Sequence, residues 1–235
     1  MLDKNQLYYG GNLDVLRQHV QSESVDLIYL DPPFNSDATY NVLFKSHDGD
    51  KSRAQIEAFD DAWHWGLQSD EEYEELTKGP FPIEVARFIE AMRSILGTSD
   101  MLAYLVMMAP RLIEMRRVMK PSATIWLHCD ATASHYLKLL MDSIFGPGHF
   151  INEIIWHYHS GGIPKKNFSK KHDVILFYSK STKWFFNMEA ASIPRNVCPE
   201  CGTVLEKWKV DGGLEVLAVA ISTSENSDRL DAAYE

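Results

Sequence analysis

Apolar positions along the chain alternate between two kinds of run. Short, nearly continuous β-branched or aromatic runs predict buried strands, and longer stretches with helical spacing separate them. Val25–Leu30 (VDLIYL) is the clearest of the first kind, as expected for a strand buried on both faces. It runs into Asp31-Pro32-Pro33-Phe34, where two prolines in succession cannot continue a ladder. Ala123–His128 (ATIWLH), closed by Cys129-Asp130, predicts a second buried strand. Asn152–His157 and Val174–Tyr178 predict two more, and Gln6–Tyr9, ending at Gly10-Gly11, a short strand and turn.

Helical spacing marks Leu13–Val20, Ala54–Leu76, Pro82–Leu96 and a helix starting after Gly97-Thr98-Ser99-Asp100 and running to about Met119. Pro110 is expected to kink that last helix and Lys120-Pro121 to end it. Ala131–Phe145 is amphipathic and stops at Gly146-Pro147-Gly148. Phe34 to about Lys51 has no period and reads as a long loop, and Trp184–Phe186 as an edge strand or turn. Strands alternating with helices predict an α/β sheet with helices on its faces, and such sheets bind ligands at the carboxyl ends of their strands. Asp31–Phe34 and His128–Asp130 both fall at that edge.

At that edge the residue types suggest a chemistry. Asp31 contributes a carboxylate. Pro32 and Pro33 contribute carbonyl oxygens without N–H groups on an extended, fixed backbone. Phe34 adds a ring immediately after. A flat ring bearing an amino group fits this cluster: its hydrogens donate to Asp31 and to the Pro32 carbonyl, and its face stacks on Phe34. Adenine and cytosine match. Acceptors fixed on the amine hydrogens favour the pyramidal geometry that frees the nitrogen lone pair, and they stabilise positive charge developing there. Methyl transfer from a sulfonium donor then needs mainly alignment. Reaching such an amine in a duplex requires flipping the base out.

Charge is segregated. The 235 residues carry a net charge of −10, with a pI near 5.4. That balance argues against a nonspecific nucleic-acid coat protein but permits DNA binding through a local patch. Lys165, Lys166, Lys170 and Lys171 form such a patch, with Phe168 and His172 nearby; the alternative is a solvated loop. No apolar run reaches the roughly 20 residues that span a bilayer, and the N-terminus has no signal pattern, so the expected location is cytoplasmic. Three cysteines cannot form a disulfide framework. Cys198-Pro-Glu-Cys201-Gly has the spacing of half a zinc ribbon, but zinc needs four ligands and no second Cys-x-x-Cys exists, so a complete site would draw on histidines or another chain. Cys129, at a strand end, is expected to pack rather than act as a nucleophile.

Several segments together resemble the DNA adenine-N6/cytosine-N4 methyltransferases of the permuted (beta) class, which include restriction-modification and type III modification subunits. They are Tyr8–Leu13, Val25–Asn35, Met107–Pro121, Ile125–Asp130, Asn152–Trp156 and His172–Lys180. The resemblance covers roughly residues 6–185. It implies a Rossmann-like methyltransferase fold, S-adenosylmethionine as donor, double-stranded DNA as substrate, and a role in amine binding for Asp31, Pro32 and Phe34, with Pro33 completing the motif. Gly11 stands where the family usually has an acid. Few residues precede Asp31, which places the catalytic motif before any Gly-rich cofactor loop and agrees with the permuted order. No such loop is found: Gly161-Gly162 and Gly212-Gly213 lack its spacing.

The chain is therefore expected to be the N-terminal part of such an enzyme. Residues 1–185 read as the catalytic core, 186–209 as a possible half zinc ribbon or the start of a recognition region, and 210–235 as an atypical, disordered tail. His128 and Asp130 are the remaining candidates to position cofactor or base, the alternative being a polar strand end with Asp130 capping a helix. A restriction or specificity subunit, or a second chain supplying the cofactor motif, is an expected partner. Adenine is favoured over cytosine because cytosine enzymes often carry Ser where Asp31 stands. Two functional classes stay open: a DNA amino-methyltransferase, or an inactive remnant that at most binds DNA.

Overall fold

A computed structural model describes residues 5–8, 10–32, 64–158, 166, 168 and 171–191, together with the backbone of 216–220. In chain order its elements are α1 (Asn12–His19), β1 (Val25–Asp31), α2 (Leu67–Lys78), α3 (Ile83–Leu96), α4 (Asp100–Val118), β2 (Met119–Asp130) and α5 (Ser134–Phe145). A single 3₁₀ turn follows (Pro147–His149), then β3 (Phe150–His157), β4 (His172–Ser179), α6 (Met188–Ala191) and β5 (Val216–Ala220).

The strands form one sheet in the order β3-β4-β2-β1-β5. β1 runs parallel to β2 and to β5, whereas β4 runs antiparallel to both β2 and β3. The carboxyl ends of β1, β2, β3 and β5 therefore share an edge with the amino end of β4. Side chains alternate across a strand. Ile28 and Leu30 of β1, Ile125, Leu127 and Cys129 of β2, and Val174, Leu176 and Tyr178 of β4 all join the main buried cluster with α3, α4 and α5. The other face carries Trp126 stacked on Phe177, ring centroids 4.0 Å apart, with Trp184 and Phe186 laid edge-on and tilted against Phe177.

Helix α4 is the axis of the core. Residues 102–110 are buried without interruption, and Leu105, Met108, Leu112 and Met115 are fully enclosed. The Ser99 hydroxyl accepts from the Leu102 amide at its start, the cap that the Ser-Asp pair predicts. The helix runs through Pro110, whose missing N–H leaves the Val106 carbonyl without its helical donor. One turn on, the Arg111 guanidinium donates to the Met107 carbonyl (2.6 Å) and to Asn12 Oδ1 at the head of α1 (2.9 Å).

Several expectations are corrected. Residues 5–8 form no strand; Tyr8 instead stacks on His19, with centroids 5.5 Å apart. An isolated run that short has no ladder to join. β2 begins at Met119, earlier than Ala123, because the chain passes from α4 straight into pairing with β1. Pro121 is tolerated there because the register shifts between Val25 and Leu27. Trp184–Phe186 contributes rings rather than a ladder. The stretch expected to be a disordered tail supplies β5, whose backbone pairs with Leu27–Asp31. Of the acidic helix expected over Ala54–Leu76, the described part begins beyond residue 63, and α2 covers Leu67–Lys78. Just ahead of α2, Trp65 packs against Tyr73 and under the Arg93 guanidinium.

Candidate active site

Asp31 is the last residue of β1, and buried Pro32 follows it. β1 is anchored behind by its parallel register with β2, which places Leu30 opposite Leu127. His128 is the next residue on β2, and its Nδ1 lies 3.0 Å from Asp31 Oδ1. β4 adds the third member. Its antiparallel register sets Asp173 opposite Asp130 and Ile175 opposite His128. The Asp173 carboxylate reaches the far side of the imidazole, 3.4 Å from Nε2. The Tyr158 hydroxyl, just past β3, donates to the other oxygen of Asp173 at 3.4 Å. Three strands thus deliver an Asp31–His128–Asp173 chain to one edge of the sheet.

The members differ in solvent access. The Asp31 side chain is 55% exposed, whereas His128 and Asp173 are 18% and 21% exposed. His128 titrates above its ordinary value. The hydrogen bond to Asp31 is the main cause, partial burial opposes it, and the Asp31 charge and the contact and charge of Asp173 add to it. Tyr158 is raised by desolvation and then by Asp173, and Tyr29 by burial and then by the charge of Asp31. Asp31 uses one oxygen on His128. A carboxylate offers about four lone-pair sites, so its outward oxygen retains capacity for an amine.

Asp130 closes the turn ahead of α5 rather than capping the helix itself, whose N-cap is Ala133. Its Oδ1 accepts from the backbone amides of Thr132 (3.1 Å) and Ala133 (3.0 Å), shaping the turn into α5. Cys129 is fully buried, and burial, followed by the charges of Asp130, Glu153 and Asp173, pushes its thiol far up. A thiol so held is no thiolate nucleophile.

Pro33 and Phe34 lie outside the described residues, as do Lys165, Lys170, Cys198 and Cys201. Lys166 and Phe168 are exposed and Lys171 is partly so. The Lys171 carbonyl accepts from the Tyr158 amide, joining the end of β3 to the start of β4. Among the described residues no group of three or more His, Cys, Asp or Glu side chains could hold a metal ion. Among the same residues no helix is long and apolar enough to cross a membrane.

The sequence reading missed Asp173 and Tyr158. His172-Asp173 directly ahead of a buried apolar run was a usable signal, but only if that strand is known to run antiparallel.

The sequence model of the N6/N4 DNA methylases matches residues 25–209. The chain belongs to this DNA methylase family. The chain is 31% identical over 186 residues to the Mod subunit of the type III restriction-modification enzyme StyLTI of Salmonella typhimurium strain LT2; the match covers 78% of this chain and 25% of that protein. It is 29% identical over 188 residues to the type II methyltransferase M.EcaI of Enterobacter cloacae, covering 80% and 31% of the two. The chain thus spans between a quarter and a third of the length of these relatives. Among solved structures, a cytosine-N4-specific PvuII DNA methyltransferase aligns over 95% of this chain and 60% of its own at 13% identity, with a TM-score of 0.43.

Proposed function

We propose that this chain provides the amine-binding edge of a DNA methyltransferase that transfers a methyl group from S-adenosylmethionine to the exocyclic nitrogen of a flipped base. Adenine N6 is the favoured target and cytosine N4 the second. The observation that carries the reading is Asp31: a carboxylate at the carboxyl end of a buried parallel strand, one oxygen held by His128 and the other open to a ligand.

The chain's own residues would act in three ways. Asp31 and the Pro32 carbonyl accept the two amine hydrogens and orient the nitrogen lone pair. The negative charge of Asp31 stabilises the positive charge that grows on that nitrogen, and it is already in place when the base arrives. Phe34 supplies the face for stacking. S-adenosylmethionine, when bound, supplies the electrophilic methyl. Neither earlier candidate for holding it suits the task, because Asp130 is committed to the α5 turn and His128 to its two carboxylates. No residue here is assigned to the donor. Lys166 and Lys171, with Lys165 and Lys170, would track phosphates. A restriction or specificity subunit, or a second chain completing the donor site, is the partner class in keeping with relatives named as Mod subunits.

The test uses methyl-labelled S-adenosylmethionine and unmethylated DNA, with the product nucleoside identified by mass spectrometry. Wild-type chain is expected to yield N6-methyladenine. Asp31→Ala is expected to lose transfer by about 100-fold or more, the scale for removing a preorganised electrostatic group, with its circular dichroism unchanged. A fully active Asp31→Ala variant would refute the reading. Absence of product from wild type, together with no S-adenosylmethionine binding by calorimetry, would leave the inactive, DNA-binding class.

A further inference from the structure

We infer that Asp173 is a positioning residue for Asp31, holding His128 as an imidazolium so that one oxygen of Asp31 stays occupied and the other faces the ligand. This rests on the reading of Asp31 as the amine acceptor, and it assigns a task to a residue on a different strand that touches no substrate.

The argument begins with the donor inventory of a histidine ring. Neutral imidazole has one N–H and one lone pair. His128 places Nδ1 3.0 Å from a carboxylate oxygen of Asp31 and Nε2 3.4 Å from one of Asp173. Whichever tautomer a neutral ring adopts, it turns a lone pair toward one of these oxygens. Only the imidazolium donates to both. Asp31 from β1 and Asp173 from β4 are the acids in contact with His128; Asp130 follows two residues on along β2, and Tyr158, beyond β3, bonds Asp173. Asp130 is spent on the Thr132 and Ala133 amides. Tyr158 donates to Asp173 and so fixes how that carboxylate is turned.

Exposure then separates the two acids. Asp31 is the outer partner, in water and available to a base, while Asp173 is largely screened from solvent. An incoming base competes for Asp31 but does not reach Asp173. The inner carboxylate therefore sustains the charge on His128 while Asp31 engages the ligand. If Asp173 is neutralised, His128 loses its proton at lower pH. The bond from Nδ1 to Asp31 then loses its charge assistance, and a neutral ring holds that oxygen of Asp31 less firmly.

The experiment uses the full chain and two readouts. Side-chain NMR follows the titration of His128 in wild type, Asp173→Asn and Asp173→Glu. Calorimetry compares deoxyadenosine with the purine deoxynucleoside that lacks the exocyclic amine. In Asp173→Asn the His128 midpoint is expected to fall, and the preference for deoxyadenosine to drop about tenfold at a pH between the two measured midpoints, as for the loss of charge assistance in one hydrogen bond. The preference should return as pH is lowered through the variant's own His128 midpoint, and Asp173→Glu should restore both readouts. A His128 midpoint that does not move in Asp173→Asn overturns the inference. So does a midpoint that moves while the deoxyadenosine preference stays at its wild-type value. If wild type itself shows no preference for the amine, the reading of Asp31 fails first, and that failure is seen without any variant.

Discussion

Replacing Arg117 by methionine should loosen the whole approach to β1. Arg117 sits in the last turn of α4 and reaches back to the chain that enters β1. Its Nη2 donates to the Leu16 carbonyl (2.6 Å) and to the Val20 carbonyl (3.2 Å). Its Nη1 donates to Ser22 Oγ (2.9 Å), and its Nε to Glu114 (2.6 Å). α1 ends at His19, so carbonyls of its last turn need donors from outside the helix. Beside these contacts the Glu23 and Ser24 amides donate to the carbonyls of Arg117 and Val118. Methionine keeps most of the stem and removes every donor. Leaving a buried carbonyl without its donor costs about 1–3 kcal/mol. The Arg117 side chain is one-third exposed, so water can replace part of each bond, and the lower end applies to the two carbonyls. The Glu114 pair adds at most about 1 kcal/mol. The total is about 2–3 kcal/mol, which at an urea m-value of about 2–3 kcal/mol/M lowers the unfolding midpoint by about 1 M. Urea unfolding followed by far-UV circular dichroism measures it. A midpoint within 0.2 M of wild type (about a fifth of the expected change) would show that this fork does not anchor α1 and β1.

Three further outcomes follow from the same edge. Cys129 should resist iodoacetamide in the native protein and react once guanidinium unfolds it, read residue by residue by mass spectrometry; equal rates in the two states would contradict its burial and raised thiol. Asp130→Ala should cost about 1 kcal/mol in urea unfolding, since it frees two amides of the turn that leads into α5, whereas Asp130→Asn should keep most of that; an unchanged midpoint in Asp130→Ala would deny the turn any weight. His128 titrates higher folded than unfolded, so its stabilisation is complete below the unfolded value near 6.5 and disappears as pH rises through the raised folded value. The stability gap between wild type and His128→Gln should therefore be wider at about pH 6 than at about pH 8.5, and a gap of equal size at both would show that His128 gains no protonation advantage from folding.

Much of this fold could be read from local pattern, and the failures share one cause. Val25–Leu30 was legible because a continuous apolar run ending at two prolines admits few structures other than a buried strand. α3 and α4 were legible because Ser99 caps and long helical spacing coincide. Residues 5–8 and Val216–Ala220 were misread in opposite directions. Both are short, and whether a short run forms a strand depends on whether a partner edge lies within reach. β5 finds the free side of β1, and residues 5–8 find His19 instead. No local feature distinguishes those outcomes. Phe177 and Trp184–Phe186 are the same case in miniature, because the rings pack across the sheet face and not along a ladder.

The candidate site divides along the same line. Asp31 was visible because its chemistry is contained in four consecutive residues. Asp173 was not, because its meaning depends on 141 residues of intervening chain folding so that β4 enters the sheet reversed. That reversal has a chemical consequence. Parallel neighbours bring only their carboxyl ends to the catalytic edge, so β1 and β2 deliver Asp31 and His128. An antiparallel β4 brings its amino end instead, and with it the acid that precedes its apolar run. Had β4 run parallel to β2, Ser179 rather than Asp173 would sit beside His128, and a hydroxyl would replace the carboxylate behind the ring. The strand's direction, not its composition, puts a second negative charge on the far side of the histidine and leaves Asp31 facing outward.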